Sequence, residues 1–181
     1  MKYWMVGFLF LLTGCLQAPE KTVFAVDQNA LAPKIVLNAN QREIVFSQAY
    51  SSGENQVALP VSLEEIVRQW LENRFTINQE EDQQIVFDVA QLEMTKAPRP
   101  IQKWYIFNNE EYTLSYYIRF SVLKKNQEIY HAFVRGQVKE QLPIKASLSD
   151  KEKVWANMVS RMILNAENKL NEQIPTAFKS V

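Results

Sequence analysis

The chain has 181 residues, 47% of them hydrophobic and 22% charged, with 20 basic residues against 20 acidic. That length fits one domain, large enough to bury ~68–70% of the unfolded surface without disulfides or metals. The balanced charge argues against a nucleic-acid partner or a polybasic membrane patch, and a single cysteine excludes an intrachain disulfide.

Lys2 is followed by an almost wholly apolar run, Tyr3 to Leu12. Ten residues are half of the ~20 that a membrane-spanning helix needs, so the run reads as the apolar region of a signal peptide, residues 1–14. Leu12-Thr13-Gly14-Cys15 comes next and resembles the lipobox of bacterial lipoproteins, with Cys15 as the lipidated residue. The only cysteine of the chain stands there, and an unpaired thiol is otherwise uncommon in an oxidising compartment. The resemblance implies tri-acylation, and two or more acyl chains anchor stably where one does not. Removing residues 1–14 leaves 19 basic residues against 20 acidic. Leu16 follows the cysteine where an aspartate would be the inner-membrane retention signal, so the expected location is the periplasmic face of the outer membrane.

Residues 15–32 carry the lipidated cysteine and a tether without sustained period, bracketed by Pro19 and Pro33. Val23-Phe24-Ala25-Val26 within it reads either as tether or as a small strand at a sheet edge. A domain is expected over 33–175, with 176–181 as a tail. Ile35-Val36-Leu37 and Ile44-Val45-Phe46 are β-prone runs, and Ser51 to Gln56 has the composition of a loop. Ser62-Leu63-Glu64-Glu65 has the form of a capping box. Leu63, Ile66, Val67, Trp70 and Leu71 then follow helical spacing, and Phe75 continues the stripe.

Gln84 to Met94 is a predicted strand with Ile85, Phe87 and Val89 on one face. Its apolar parity switches to Leu92 and Met94, which indicates a bulge or bend near Gln91. Pro98 and Pro100 end it. Tyr112 to Leu123 alternates cleanly, with Tyr112, Leu114, Tyr116, Ile118, Phe120 and Val122 on one face. Lys124-Lys125-Asn126-Gln127 is a turn, and Glu128 to Val138 returns with Tyr130, Ala132, Val134 and Val138 inward, completing a long antiparallel hairpin. Ser149-Asp150-Lys151-Glu152 has the form of a second capping box. The stripe Val154, Trp155, Met158, Val159, Met162, Ile163 and Ala166 predicts a helix that ends near Asn171, before Pro175. The fold class that follows is α+β, a two-layer sandwich of an antiparallel sheet with two amphipathic helices on one face. Leu63, Val67, Trp70, Leu71, Trp155, Val159 and Ile163 are expected in one shared core.

Little in the sequence suggests catalysis. His131 is the only histidine and falls beside Ile129 and Phe133, opposite the Tyr130 face, so it has no evident partner for metal binding or acid–base work. Glu80-Glu81-Asp82 and Glu110-Glu111 fall in predicted connections without the spacing or glycine of a calcium loop. Only Gly53 and Gly136 survive signal cleavage, too few for a phosphate-cradling loop. Catalytic residues, metal and cofactor are all expected to be none, and the expected class is non-enzymatic. The aromatic connection Ala97 to Glu111 remains. Trp104, Tyr105 and Phe107, with Arg99 and Lys103, either fold back over a sheet end or form a contact surface for a partner, since aromatics and arginine concentrate at interface centres.

The element order, with segments such as Leu63-Glu64-Glu65-Ile66-Val67 and Ile85-Val86-Phe87-Asp88-Val89, resembles the YajG-type periplasmic lipoproteins of gammaproteobacteria over roughly residues 33–172. The resemblance implies an α+β lipoprotein with no catalytic residues to carry across, and the chain departs from it in the longer, more aromatic Ala97 to Glu111 connection. Two functions follow as expectations. One is an envelope lipoprotein that reaches the membrane through its lipid anchor and binds another envelope protein or a cell-wall component. The other is an auxiliary lipoprotein of a lipid or ABC-type transport system, similar to PqiC or LptE. An exposed apolar groove between helix and sheet would favour the second, and a closed core with local aromatic patches the first.

Overall fold

A computed structural model describes residues 34–47, 55–79, 81–98 and 109–179. The signal peptide, Cys15, the tether, Glu80 and the segment 99–108 lie outside the described residues, as does most of the loop expected from Ser51. The described chain is α+β, with two helices and two sheets. In chain order the elements are β1 (Ile35–Leu37), β2 (Gln41–Phe46), α1 (Leu63–Arg74), β3 (Phe75–Ile77), β4 (Gln84–Pro98), β5 (Asn109–Lys124), β6 (Gln127–Pro143) and α2 (Leu148–Gln173). A short 3-10 turn, Thr176–Phe178, follows.

The expected all-antiparallel sheet is corrected to a mixed one. β4, β5 and β6 form the antiparallel meander, but β2 joins β4 in parallel, giving the order β2-β4-β5-β6. β1 pairs in parallel with β3 as a separate two-stranded sheet. The connectivity explains both pairings. α1 stands between β1 and β3 and between β2 and β4, and a helical crossover returns the chain in its original direction, whereas a tight turn reverses it.

Sequence period accounts for the long strands. β4 shifts register between Val89 and Gln91, so one extra residue carries the change of apolar parity. The β5–β6 turn places Lys125 at φ 50° and Asn126 at φ 62°, the left-handed pair that matches the twist of a two-residue hairpin. The alternate residues Tyr112, Leu114, Ile118, Phe120 and Val122 of β5 are buried, with Ala132, Val134 and Val138 of β6 beside them. Together with Val67, Trp70 and Leu71 of α1 and Trp155, Val159 and Ile163 of α2 they make one continuous core, against which Leu63 packs half-buried.

Three local expectations are corrected. Phe75 does not continue the α1 stripe: it caps the helix in extended conformation and begins β3, still fully buried. Ser62 stands at the α1 N-cap, yet its hydroxyl makes no capping hydrogen bond. The second cap is Ser147, whose hydroxyl accepts from the Asp150 amide at 3.1 Å, so α2 starts earlier than Ser149 would place it. α2 continues to Gln173, and the chain after it folds back on β1. There Asn38 N–H donates to the Phe178 carbonyl at 3.0 Å, and the Phe178 ring meets that of Tyr130 at 5.3 Å. Among the described residues no helix is long and apolar enough to cross a membrane.

Candidate functional site

The residues proposed for a partner surface, Arg99, Lys103, Trp104, Tyr105 and Phe107, lie outside the described residues, and so does the lipidation candidate Cys15. The carboxylate clusters are described in part, and each has a local partner. Asp82 accepts from the Asn40 amide at 3.3 Å. Glu111 stands 3.6 Å from Lys139 across the β5–β6 ladder. Glu110 accepts the Tyr112 hydroxyl at 2.7 Å and faces Lys151 of α2 at 3.6 Å. The Tyr112 bond, the largest influence, together with the Lys151 and Lys96 charges holds the Glu110 carboxyl below its ordinary value, against a desolvation effect that is larger than either lysine charge alone. Burial, then the same hydrogen bond, pushes the Tyr112 phenol up. This cluster ties the start of α2 to the start of β5.

His131 is on the solvent face of the sheet, with its side chain 56% exposed, as strand parity predicts. It has a partner the sequence did not reveal. Its Nδ1 is 2.8 Å from Glu128, whose two carboxylate oxygens also accept from Arg119 at 2.9 and 2.6 Å, and Ser121 donates to the same group at 3.2 Å. Desolvation would raise the Glu128 carboxyl, but the Arg119 donor and charge and the His131 and Ser121 bonds outweigh it and lower the group. Ser121 and His131 are cross-strand neighbours, yet both turn to Glu128 rather than forming a nucleophile–base pair.

Two further groupings went unread in the sequence. Between the helices, Glu167 of α2 is 3% exposed and lies 2.8 Å from Arg74 Nε of α1, itself 5% exposed. The second Glu167 oxygen accepts the Trp70 indole N–H at 3.3 Å. The Arg74 contact is an ion pair without hydrogen-bond alignment, and Nε and Nη1 have no hydrogen-bond partner among the described residues. The sequence signal was there: Arg74 is four residues beyond Trp70, and Glu167 four beyond Ile163, so each charge interrupts an apolar stripe.

The second grouping is on the solvent face of β5 and β6. Phe133 is 48% exposed and stacks on Tyr117, ring centroids 5.9 Å apart, while Ile129 on the same strand is 49% exposed. Beside this stack is a depression of about 400 Å³ lined by Gln91, Ser115, Tyr116, Arg135, Gly136 and Gln137. On the core side of the same place, a Cβ at position 136 would stand 2.5 Å from the Tyr116 hydroxyl oxygen and 2.8 Å from Cζ. The bare glycine therefore makes room for the buried ring of its cross-strand partner.

No family model matches the chain, and no curated protein matches it. Solved structures similar to it include bacterial lipoproteins. The rare lipoprotein B of Shewanella oneidensis is 19% identical with a TM-score of 0.38, over 74% of this chain and 92% of that one. A minor lipoprotein of Acinetobacter baumannii is 10% identical with a TM-score of 0.43, over 80% and 98%. An uncharacterized lipoprotein B of Nitrosomonas europaea is 10% identical with a TM-score of 0.45, over 81% and 94%.

Proposed function

We infer that the chain is a non-enzymatic bacterial lipoprotein, anchored by Cys15 to the periplasmic face of the outer membrane, whose head holds another envelope protein or a cell-wall component. The observation that carries this is Leu12-Thr13-Gly14-Cys15, directly after an apolar run too short to span a bilayer and containing the chain's only cysteine. Residues 1–14 are then removed and 15–32 tether the head, a YajG-type domain with both helices over one face of its sheet. A binding role is supported by how the polar groups are used. Glu110, Glu111 and Glu128 are each engaged by a hydroxyl, lysine or arginine that ties elements together. Exposed apolar side chains include Ile129 and Phe133 on the solvent face of the sheet, with Ile144 after β6 and Leu148 and Leu164 on α2.

The transport-auxiliary reading is disfavoured by the seam between helices and sheet. Val67, Leu71, Met158, Val159 and Met162 there are fully buried in one core with Phe87, Leu114 and Phe120, so among the described residues the seam is filled rather than an open apolar groove. The test is fractionation of cells expressing the wild type and Cys15→Ser. The wild type goes to the outer membrane, and the variant accumulates unprocessed or soluble. Unchanged processing and membrane recovery of Cys15→Ser overturns the anchor. Because β4 and β5 pair as far as Pro98 and Glu110, the connection narrows to residues 99–108. Cross-linking of the Trp104→Ala, Tyr105→Ala double variant tests that segment as the protein-contact surface, expecting a folded variant that loses its cross-linked neighbours, whereas unfolding would assign those rings to the core.

A further inference from the structure

We propose that the solvent face of the sheet carries a shallow site for a carboxylated glycan, centred on Ser115 and framed by Gln91, Arg135 and Gln137. The proposal deepens the cell-wall arm of the function above and rests on it for the source of the ligand.

Two adjacent rows cross the sheet here, Gln91–Tyr117–Arg135 and Glu93–Ser115–Gln137. Serine is the shortest side chain in these rows, and its longer neighbours stand around it, which produces the depression of about 400 Å³. That volume falls near the lower end of small-ligand sites, ~300–1,000 Å³, and suits one or two sugar rings.

The lining has the chemistry of a polyol site. The Ser115 hydroxyl and the Gln91 and Gln137 carboxamides can each donate and accept, as vicinal hydroxyls and acetamido groups require. Among the described residues no carboxylate pairs with the exposed Arg135 guanidinium, and this group takes a carboxylate through two parallel hydrogen bonds. Glu93, the nearby acid, is engaged by Gln91 at 2.7 Å on the far side of Ser115, which directs a ligand carboxylate toward Arg135. Phe133, half-exposed and braced by Tyr117, offers an aromatic face for the C–H side of a pyranose. A protein partner would meet an apolar centre and a polar rim. Here the centre is polar and the aromatic area lies at the margin, so a glycan fits better.

The test uses the full acylated chain in detergent micelles and backbone amide NMR. The probes are N-acetylglucosaminyl-N-acetylmuramic acid, which bears a lactyl carboxylate, and neutral N,N′-diacetylchitobiose. The acidic disaccharide at millimolar concentration should move the amides of Gln91, Ser115, Arg135 and Gln137. Arg135→Gln should weaken it about tenfold or more while leaving chitobiose unchanged, and Phe133→Ser should weaken both. Both substituted residues are exposed, and an otherwise unchanged spectrum verifies the fold. Absence of shifts, shifts centred elsewhere, or equal shifts with lactate alone would overturn the site. Disaccharide binding by a chain whose Cys15 proves unacylated would sink the anchor and leave the site standing. An acylated chain that ignores the disaccharide would do the reverse.

Discussion

Replacing Glu167 by alanine tests how the two helices are held together. The carboxylate is 3% exposed and holds two partners, pairing by charge with Arg74 Nε at 2.8 Å and accepting the Trp70 indole N–H at 3.3 Å. A guanidinium keeps its charge under any condition in which a protein folds. Removing its partner therefore strands a cation in a site where only 5% of Arg74 meets water. Breaking a buried ion pair from one side costs about 3–5 kcal/mol, and the orphaned indole N–H belongs to the same loss. Against a total stability of ~5–15 kcal/mol for a domain, that is a large fraction. At ~2–4 °C per kcal/mol for a chain of this size, the melting temperature should fall by about 6–20 °C. The companion variant is Arg74→Met with Glu167→Met, which removes both charges and refills the space. It should recover most of the loss, because the attraction within a buried pair roughly offsets its desolvation. Urea denaturation followed by far-UV circular dichroism gives both numbers. A Glu167→Ala protein within ~1 kcal/mol of wild type would show that water reaches Arg74 and that the ion pair does not organise the helix seam.

Three further outcomes follow from local geometry. Gly136→Ala should cost about 1–3 kcal/mol by equilibrium denaturation, because the new Cβ meets the buried Tyr116 ring and one of the two must move. Ser147→Ala should cost ~1 kcal/mol, whereas Ser62→Ala should be near neutral, since only Ser147 makes the capping bond. Acid titration of stability should respond to Glu110. Its carboxyl lies below the ordinary 4.5 in the folded state, so its contribution is present above that value and is lost as pH falls through the lower folded one. Glu110→Gln should flatten that part of the profile, and an unchanged acid limb would contradict the assignment.

Periodic features were legible in the sequence because one face of each long element is apolar. The α2 stripe, the alternation of β5 and the parity switch near Gln91 all appear as read, down to the register shift after Val89. Partner choice was not legible. Ile35-Val36-Leu37 and Ile44-Val45-Phe46 look alike, yet one run joins β3 and the other β4, because pairing depends on where α1 returns the chain. The second cap was misplaced because Ser147 and Ser149 both precede acidic residues, and only the backbone decides which serine is extended. Arg74 and Glu167 each break an apolar stripe, but their pairing exists only once the helices lie together. The Ser115 depression arises from three strands in register, which no single strand's pattern encodes.

The central claim is the anchor, and the most direct measurement is the mass of the N-terminal peptide from the protein purified out of bacterial membranes. The account predicts a peptide beginning at Cys15 whose mass carries a diacylglycerol and an amide-linked acyl chain. A peptide that still carries residues 1–14, or one with an unmodified Cys15 thiol, would contradict it.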